Sequence, residues 1–136
     1  DQMKQNKIYG SIIQLNSIYG LLAQDDNLYK NTNLSENMTY GIIKSSILHF
    51  TKQMASYYGK YNIRVNNLVI GGIKGHIKGS KKKQDKVFLR KFNLKVPLKR
   101  MGEPYEIPAS VIFLASPASS YITGSNLIID GGFSII

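Results

Sequence analysis

Tyr40 and Lys44 stand four residues apart in Met38–Tyr58, a stretch whose pattern predicts a long helix. Residues at that spacing share one helix face, so the phenol is expected beside the ammonium. A free tyrosine, with a pKa of about 10, is a poor base at neutral pH. A neighbouring cation favours the phenolate, which makes the pair able to give and take a proton. The spacing alone also fits an idle surface pair. Its surroundings add to it. Upstream, Gly10-Ser-Ile-Ile-Gln-Leu-Asn-Ser17-Ile-Tyr-Gly20 is an apolar, strand-like run ending in a serine and a glycine. Downstream come Tyr61-Asn-Ile-Arg-Val-Asn66, Gly71-Gly72-Ile73, Pro97-Leu-Lys-Arg-Met-Gly-Glu-Pro-Tyr-Glu-Ile107 and Ile122-Thr-Gly-Ser-Asn-Leu-Ile-Ile-Asp-Gly-Gly132.

The elements that must position these residues follow from the pattern. Tyr9–Asn16 reads as a strand, its nearly continuous apolar run suited to a parallel strand covered on both faces. Ser17–Gly20 is then its carboxyl end and turn, the edge where open α/β sheets bind ligands. Leu21–Met38 is polar and loop-like. In the helix, Ile43, Ile47, Phe50, Met54 and Tyr58 form the expected apolar stripe, widened by Ile42 and Leu48. Asn37 is the expected N-cap and Gly59 the expected residue just past the end. Ile63–Ile70 is a second strand, and Gly71-Gly72 at its end would let backbone approach a ligand. A short helix is expected over Gln84–Leu94, with Val87, Phe88, Lys91 and Leu94 at helical spacing. Glu103-Pro104 reads as a helix start, with Pro108 delaying the regular helix and Ile107, Val111, Leu114 and Ala115 as its buried stripe. Ser116–Tyr121 is a turn region and Asn126–Ile129 the last strand.

In this order and at these intervals, the segments from Tyr9 onward resemble the carboxyl-terminal half of a short-chain dehydrogenase/reductase. The resemblance implies an α/β fold: a partial Rossmann-like, doubly wound parallel sheet made of the last three strands and their helices. It implies an NAD(P)-dependent oxidoreductase that interconverts an alcohol and a carbonyl. In such enzymes a tyrosine exchanges the substrate hydroxyl proton, a lysine lowers that tyrosine's pKa and bonds the nicotinamide ribose, and a serine orients the substrate oxygen. Matched motif by motif, these roles fall on Tyr40, Lys44 and Ser17, with Tyr40, Lys44, Gly71, Gly72 and Ile73 facing NAD or NADP. The helix carrying Tyr40 also forms a subunit interface in relatives, implying a homo-oligomer. The long loop and the Asn-Ile-Arg-Val-Asn…Gly-Gly-Ile pattern look like bacterial members associated with sugar or surface-glycan synthesis, so the small-molecule substrate would be a sugar derivative.

The sequence also departs from the family. Ile70 stands where a proline is usual, Gly75 stands where a threonine is frequent, and Leu21–Met38 is longer than the usual interval. There is no Gly-rich turn before a helix, no Asn-Asn-Ala-Gly segment, and no counterpart of the first four strands. Residues 1–136 are thus expected to be the catalytic half of a domain whose amino-terminal nucleotide-binding half is absent, and Asp1–Lys7 to be the end of a helix. The alternative is a noncatalytic fragment, a degenerate scaffold or assembly subunit.

Composition narrows the remaining classes. The 136 residues are 43% hydrophobic, enough for one domain with a core. No apolar run reaches a membrane span, and no signal-peptide pattern opens the chain. There is no cysteine, which excludes disulfides and thiolate metal sites and is compatible with the cytoplasm. His49 and His76 stand apart, so no metal site is expected. The net charge of +10 could attract nucleic acid or phosphorylated ligands. Much of it lies in Lys74–Lys86, readable as a solvated segment or as a flap whose cations meet phosphates. No aromatics interleave it, which argues against nucleic acid.

Overall fold

Three strands, Gly10–Ser17 (β1), Ile63–Ile70 (β2) and Asn126–Ile129 (β3), form a parallel sheet in the order β1-β2-β3. The structure is a computed structural model that describes residues 1–75 and 84–136. Ser17 pairs with Ile70, and Ile70 with Ile129. The three carboxyl ends are therefore level, and the residues that follow them gather along one edge. β2 is the central strand, and Ile63, Val65, Asn66, Asn67, Leu68 and Val69 are all buried. β1 is not covered as its sequence predicts. Among the described residues it pairs on one side only, Leu15 is 59% exposed, and only Asn16 and Ser17 are buried. An edge strand has no neighbour to close over its outer flank.

The helix Met38–Tyr58 (the third, α3, after the single turns Gln2–Gln5, α1, and Asp26–Tyr29, α2) has the predicted bounds. Asn37 Oδ1 accepts the Tyr40 N–H at 3.0 Å, which fixes its start. Its buried face is the predicted one only in part, through Leu48. Leu48, Thr51 and Ala55 are buried, with Gly41 and Lys44 half-buried in the same row. Ile42 is 70% and Phe50 55% exposed, Ile43 is exposed, and Ile47, Met54 and Tyr58 are half-buried. Small side chains let the helix backbone approach the sheet, which leaves the bulky apolar flank turned outward. Gly59 keeps helical torsions. The chain continues through a 3-10 turn, Gly59–Tyr61, and reverses at Asn62, whose φ is 56°.

Leu21–Met38 is a structured segment, not a plain loop. It contains α2, capped by Asp25 Oδ1 on the Asn27 N–H, and buries Leu28. The next helix, Lys86–Lys95 (α4), begins two residues later than expected. Asp85 is its cap, accepting the N–H groups of Val87 at 2.8 Å and Phe88 at 3.0 Å. Its buried residue is Phe92, stacked on Phe133 with ring centroids 4.8 Å apart, while Val87 and Leu94 are exposed. Pro104–Glu106 is a 3-10 turn and Pro108–Ala115 (α5) the regular helix, as the two prolines predict. Leu114 is its buried residue, and the expected stripe thins at the exposed Ala115 because the helix ends there. Ile18, Leu28, Leu48, Val69, Phe92, Val96, Met101 and Phe133 form the core cluster beside the strands' carboxyl ends.

Two contacts hold the segments that flank this edge. A Cβ on Gly20 would lie 2.8 Å from both the carbonyl carbon and oxygen of Lys44, so the turn after β1 meets the backbone of α3 directly. In the other, Arg100 grips Glu106 through two bonds, at 2.7 and 2.8 Å, and Glu106 also accepts the Glu103 N–H at 2.7 Å. Arg100 first, then that N–H, holds the Glu106 carboxyl down at about 2.

Gly20→Ala should therefore destabilise the fold by about 1–3 kcal/mol, since backbone on both sides cannot yield. Urea unfolding measures it, and an unchanged midpoint would mean the turn shifts freely. The Glu106 value is depressed on folding, so its contribution is complete above the ordinary carboxylate value and is lost as pH falls toward about 2. A carboxyl-carbon NMR titration should show Glu106 titrating near about 2 in the wild type and back toward ordinary values in Arg100→Gln.

Candidate active site

Lys44 lies on the face of α3 that meets the end of β1. Its Nζ donates to the Leu15 carbonyl at 3.4 Å and sits 5.6 Å from the centre of the Tyr40 ring. Tyr40, one turn earlier, is 40% exposed, and among the described residues its hydroxyl has no hydrogen-bond partner. Two residues beyond Leu15, Ser17 ends β1. Its Oγ accepts the Tyr19 N–H at 3.2 Å and so caps the 3-10 turn Ile18–Gly20. The strand end and the first half of the helix thus meet at one corner, where Lys44 reaches the carbonyl of Leu15, two residues before Ser17, and stands beside the Tyr40 ring. No direct hydrogen bond among the three side chains occurs in the described residues.

Gly71, Gly72 and Ile73 follow β2 on the same edge, just past the Ser17–Ile70 pair. The two glycines also meet a packing demand. A Cβ on Gly71 would stand 2.7 Å from Asp130 Cα, and one on Gly72 would stand 2.5 Å from the Phe92 ring. Their lack of a side chain is required by packing within the chain. Ile73 forms a parallel bridge with Gly102, in which Gly102 N–H donates to Gly72 O and Lys74 N–H to Gly102 O, each at 2.9 Å. That pattern turns the amide and carbonyl of Ile73 away from Gly102. The carbonyl accepts Gln84 Nε2 at 3.2 Å, and among the described residues nothing accepts the Ile73 N–H. A cavity of about 100 Å³ is lined by Gly72, Ile73, Arg100, Gly102, Ile107 and Asp130, among others. It adjoins this strand end and includes none of Ser17, Tyr40 or Lys44.

The long segment after Gly20 is tied to the corner. Gln24 Nε2 donates to the Tyr29 hydroxyl at 2.6 Å, and that hydroxyl donates to the Tyr19 hydroxyl at 3.3 Å. Gln24 Oε1 accepts the N–H of Asn37, the cap of α3, at 2.8 Å. Burial pushes the Tyr19 phenol well above its ordinary value, with the charges of Asp25 and Tyr40 adding smaller shares. Tyr19 is therefore held neutral across the physiological range. α4 clamps the same segment from outside. Lys91 donates to the carbonyls of Asn27 and Lys30, and Lys95 pairs with Asp25.

A buried amide network that sequence reasoning passed over lies beneath the corner. Asn16 joins Ser17 to Lys44, and through Asn67 the network reaches Thr51 and Asn126. The signal available in the sequence was an asparagine inside an apolar strand, directly before the serine. Of the basic run Lys74–Lys86, residues 76–83 lie outside the described residues, and so does the flap reading. Lys74 pairs with Glu103 at 2.5 Å. Among the described residues no cluster of His, Asp or Glu could hold a metal ion, and no helix is long and apolar enough to cross a membrane.

Comparison with known proteins places this corner in context. A family model described as enoyl-(acyl carrier protein) reductase matches residues 1–134. D-arabinitol 2-dehydrogenase (ribulose-forming) of Scheffersomyces stipitis is 35% identical over 130 residues, 95% of this chain and 44% of that protein. Post-translational flagellin modification protein A of Campylobacter coli is 34% identical over 127 residues, 93% of this chain and 47% of that protein. The crystal structure of a short-chain dehydrogenase from Leptospira borgpetersenii serovar Hardjo-bovis with bound NAD+ superposes with a TM-score of 0.86 at 38% identity, covering 98% of this chain and 48% of that one. The chain thus spans about half the length of the relatives it matches. Solved relatives carry NAD+, NADH or NADP. With a family model matched from end to end and a shared parallel-sheet fold, the chain belongs to the short-chain dehydrogenase/reductase family, whose members use NAD or NADP.

Proposed function

We propose that this chain is the carboxyl-terminal, catalytic half of an NAD(P)-dependent oxidoreductase that interconverts an alcohol and a carbonyl. The observation that carries the reading is the placement of Lys44 Nζ, on the Leu15 carbonyl and beside the Tyr40 ring, at the carboxyl edge of the sheet. Tyr40 is the proton donor or acceptor, and its partly exposed hydroxyl, without a partner among the described residues, suits a group that must meet a substrate oxygen. Lys44 supplies the positive charge that favours the phenolate, and an ammonium has three N–H donors, enough for the Leu15 carbonyl and a ribose. Ser17 orients the substrate oxygen. For that, its hydroxyl proton must point out of the turn while the oxygen keeps the Tyr19 N–H.

The chain's residues fit the nicotinamide end of the cofactor. The Ile73 N–H, which nothing among the described residues accepts, lies on the same edge as Lys44 and is a donor with the polarity a carboxamide oxygen needs. Gly71 and Gly72 shape the strand end that presents it. When bound, NAD(P) accepts or supplies the hydride. Nothing in these residues offers the glycine-rich turn that would hold a pyrophosphate, so the adenosine end belongs to an amino-terminal half. The substrate class we favour is a polyol or sugar derivative. A ribulose-forming arabinitol dehydrogenase is among the relatives, and Tyr19, Tyr29 and Gln24 line up hydroxyl and amide groups near the corner. The exposed flank of α3, with Ile42, Ile43 and Phe50, is where a second subunit would pack. The same reading places the enzyme in the cytoplasm, with which a cysteine-free chain is compatible.

Tyr40→Phe in a full-length protein carrying this chain should lower turnover by about 10²–10⁴-fold and leave the circular-dichroism spectrum unchanged. Near-normal rates would defeat the assignment and favour a noncatalytic scaffold. The 136 residues by themselves should bind NADH weakly. Fluorescence titration of NADH tests this, and a submicromolar dissociation constant would show that they need no further half.

A further inference from the structure

Asn16 is 5% exposed and sits one residue before Ser17. Its Oδ1 accepts the Ser17 N–H at 2.8 Å, and its Nδ2 donates to the Lys44 carbonyl at 3.1 Å. The same Nδ2 approaches Asn67 Oδ1 at 3.5 Å. Asn67 Oδ1 accepts the Thr51 hydroxyl at 3.1 Å, and Asn67 Nδ2 donates to Asn126 Oδ1 at 2.9 Å. One planar amide thus bonds the backbone of a residue at the strand end and the backbone of a residue on the helix. The Lys44 carbonyl it holds is also the group against which Gly20 closes. A carbonyl has two lone pairs, so the bond from Asn16 adds to the helical bond without competing for it.

We propose that Asn16 is a positioning residue that fixes the spacing between Ser17 and Lys44. This role rests on the function proposed above. Asn16 touches neither substrate nor cofactor. It acts through the two residues that would, by holding the strand end and the helix turn in one register. The amide is suited to this because it offers an acceptor to Ser17 and a donor to Lys44 from one rigid plane. An aspartate of the same shape keeps the acceptor but sets a carboxylate oxygen against the Lys44 carbonyl. An alanine loses both bonds. Misplacement of such groups by even an ångström costs catalysis steeply while leaving binding comparatively intact.

The test compares Asn16→Ala, Asn16→Asp and Thr51→Val in the full-length protein, with the wild type and Tyr40→Phe alongside. Thr51 belongs to the same network, lies two turns from Lys44 and has no place in the site. Steady-state kinetics, thermal melting and amide hydrogen exchange at Ser17 are measured on each. Both Asn16 variants should lose about tenfold or more in kcat, with the nucleotide KM within about threefold of wild type. The Ser17 amide should exchange at least about tenfold faster in Asn16→Ala and stay protected in Asn16→Asp. Thr51→Val should melt earlier with kcat unchanged. A wild-type kcat per folded molecule in Asn16→Ala, or a loss in Thr51→Val equal to that in Asn16→Ala, overturns the positioning role. Failure of the functional reading looks different. There the wild type and Tyr40→Phe turn over alike or not at all, whereas failure of the positioning role alone leaves Tyr40→Phe inactive and Asn16→Ala fully active.

Discussion

The backbone of α3 comes so close to the turn after β1 that a Cβ on Gly20 would collide with it. Gly20 meets the Lys44 carbonyl directly, Gly41 faces Tyr19 O across 3.4 Å from an added Cβ, and Asn16 bonds the same Lys44 carbonyl from the strand. This approach sets which face of the helix turns inward. With Gly41, Lys44, Leu48, Thr51 and Ala55 against the sheet, Lys44 is carried to the end of β1, where its ammonium finds the Leu15 carbonyl. Were the bulky stripe of Ile43, Ile47 and Phe50 packed inward, the helix would stand off and Lys44 would swing away from the strand end. The chemistry of the corner is a consequence of that packing choice.

The parallel register does the rest. Ser17, Ile70 and Ile129 lie abreast, so whatever follows each strand emerges at one edge. Every parallel sheet has this property, which is why such sheets gather their sites there. In this chain the edge is stiffened from below by the Asn16–Asn67–Asn126 amides and from the side by the Gly72–Gly102–Lys74 bridge. Each of those buried polar groups has a partner, as groups withdrawn from water must. The long segment Leu21–Met38 is held by the same logic. Leu28 enters the core, Gln24 links Tyr29 to the helix cap, and lysines of α4 fasten its carbonyls.

Much of this was legible in the sequence where a local rule decides the outcome. Met38–Tyr58 keeps its bounds because Asn37 caps it, and α5 begins at Pro108 because the prolines permit nothing earlier. The central strand buries six of its eight residues, Asn66 and Asn67 among them. Where two parts of the chain must agree, the sequence alone misled. The apolar stripe of α3 reads as core or interface, but it does not say which residues are which: Leu48 is buried, whereas Ile42, Ile43 and Phe50 are exposed, because Gly41, Thr51 and Ala55 sit on the sheet-facing side. Gly71 and Gly72 suggested ligand approach, and a packing demand that no motif announces adds to it, since Asp130 and Phe92 occupy the space their side chains would need. Gly59 looked like a left-handed terminus, but Asn62 takes that conformation three residues later. The candidate residues Ser17, Tyr40 and Lys44 were named from motifs. The place of Lys44 at the strand end depends on the helix–strand approach, which no motif spells out, and Asn16 was passed over because its partners Lys44 and Asn67 are distant in sequence.

The open flank of β1 and the outward stripe of α3 belong to one energetic pattern. A three-stranded sheet with one covered strand has little interior of its own, and its edge strand presents unpaired backbone groups. Leu15 on that edge and Ile42, Ile43 and Phe50 on the helix expose large side chains whose burial would each return about 1.5–3 kcal/mol. The two uncovered surfaces differ in what they can accept. The strand edge offers directional hydrogen bonds and suits another parallel strand in register. The helix flank is apolar and non-directional and suits another helix. A partner half beside β1 and a second subunit beside α3 would satisfy both surfaces without disturbing the corner between them. That corner already has its contacts with Gly20, Asn16 and Leu15 in place, so its geometry does not depend on what covers either surface.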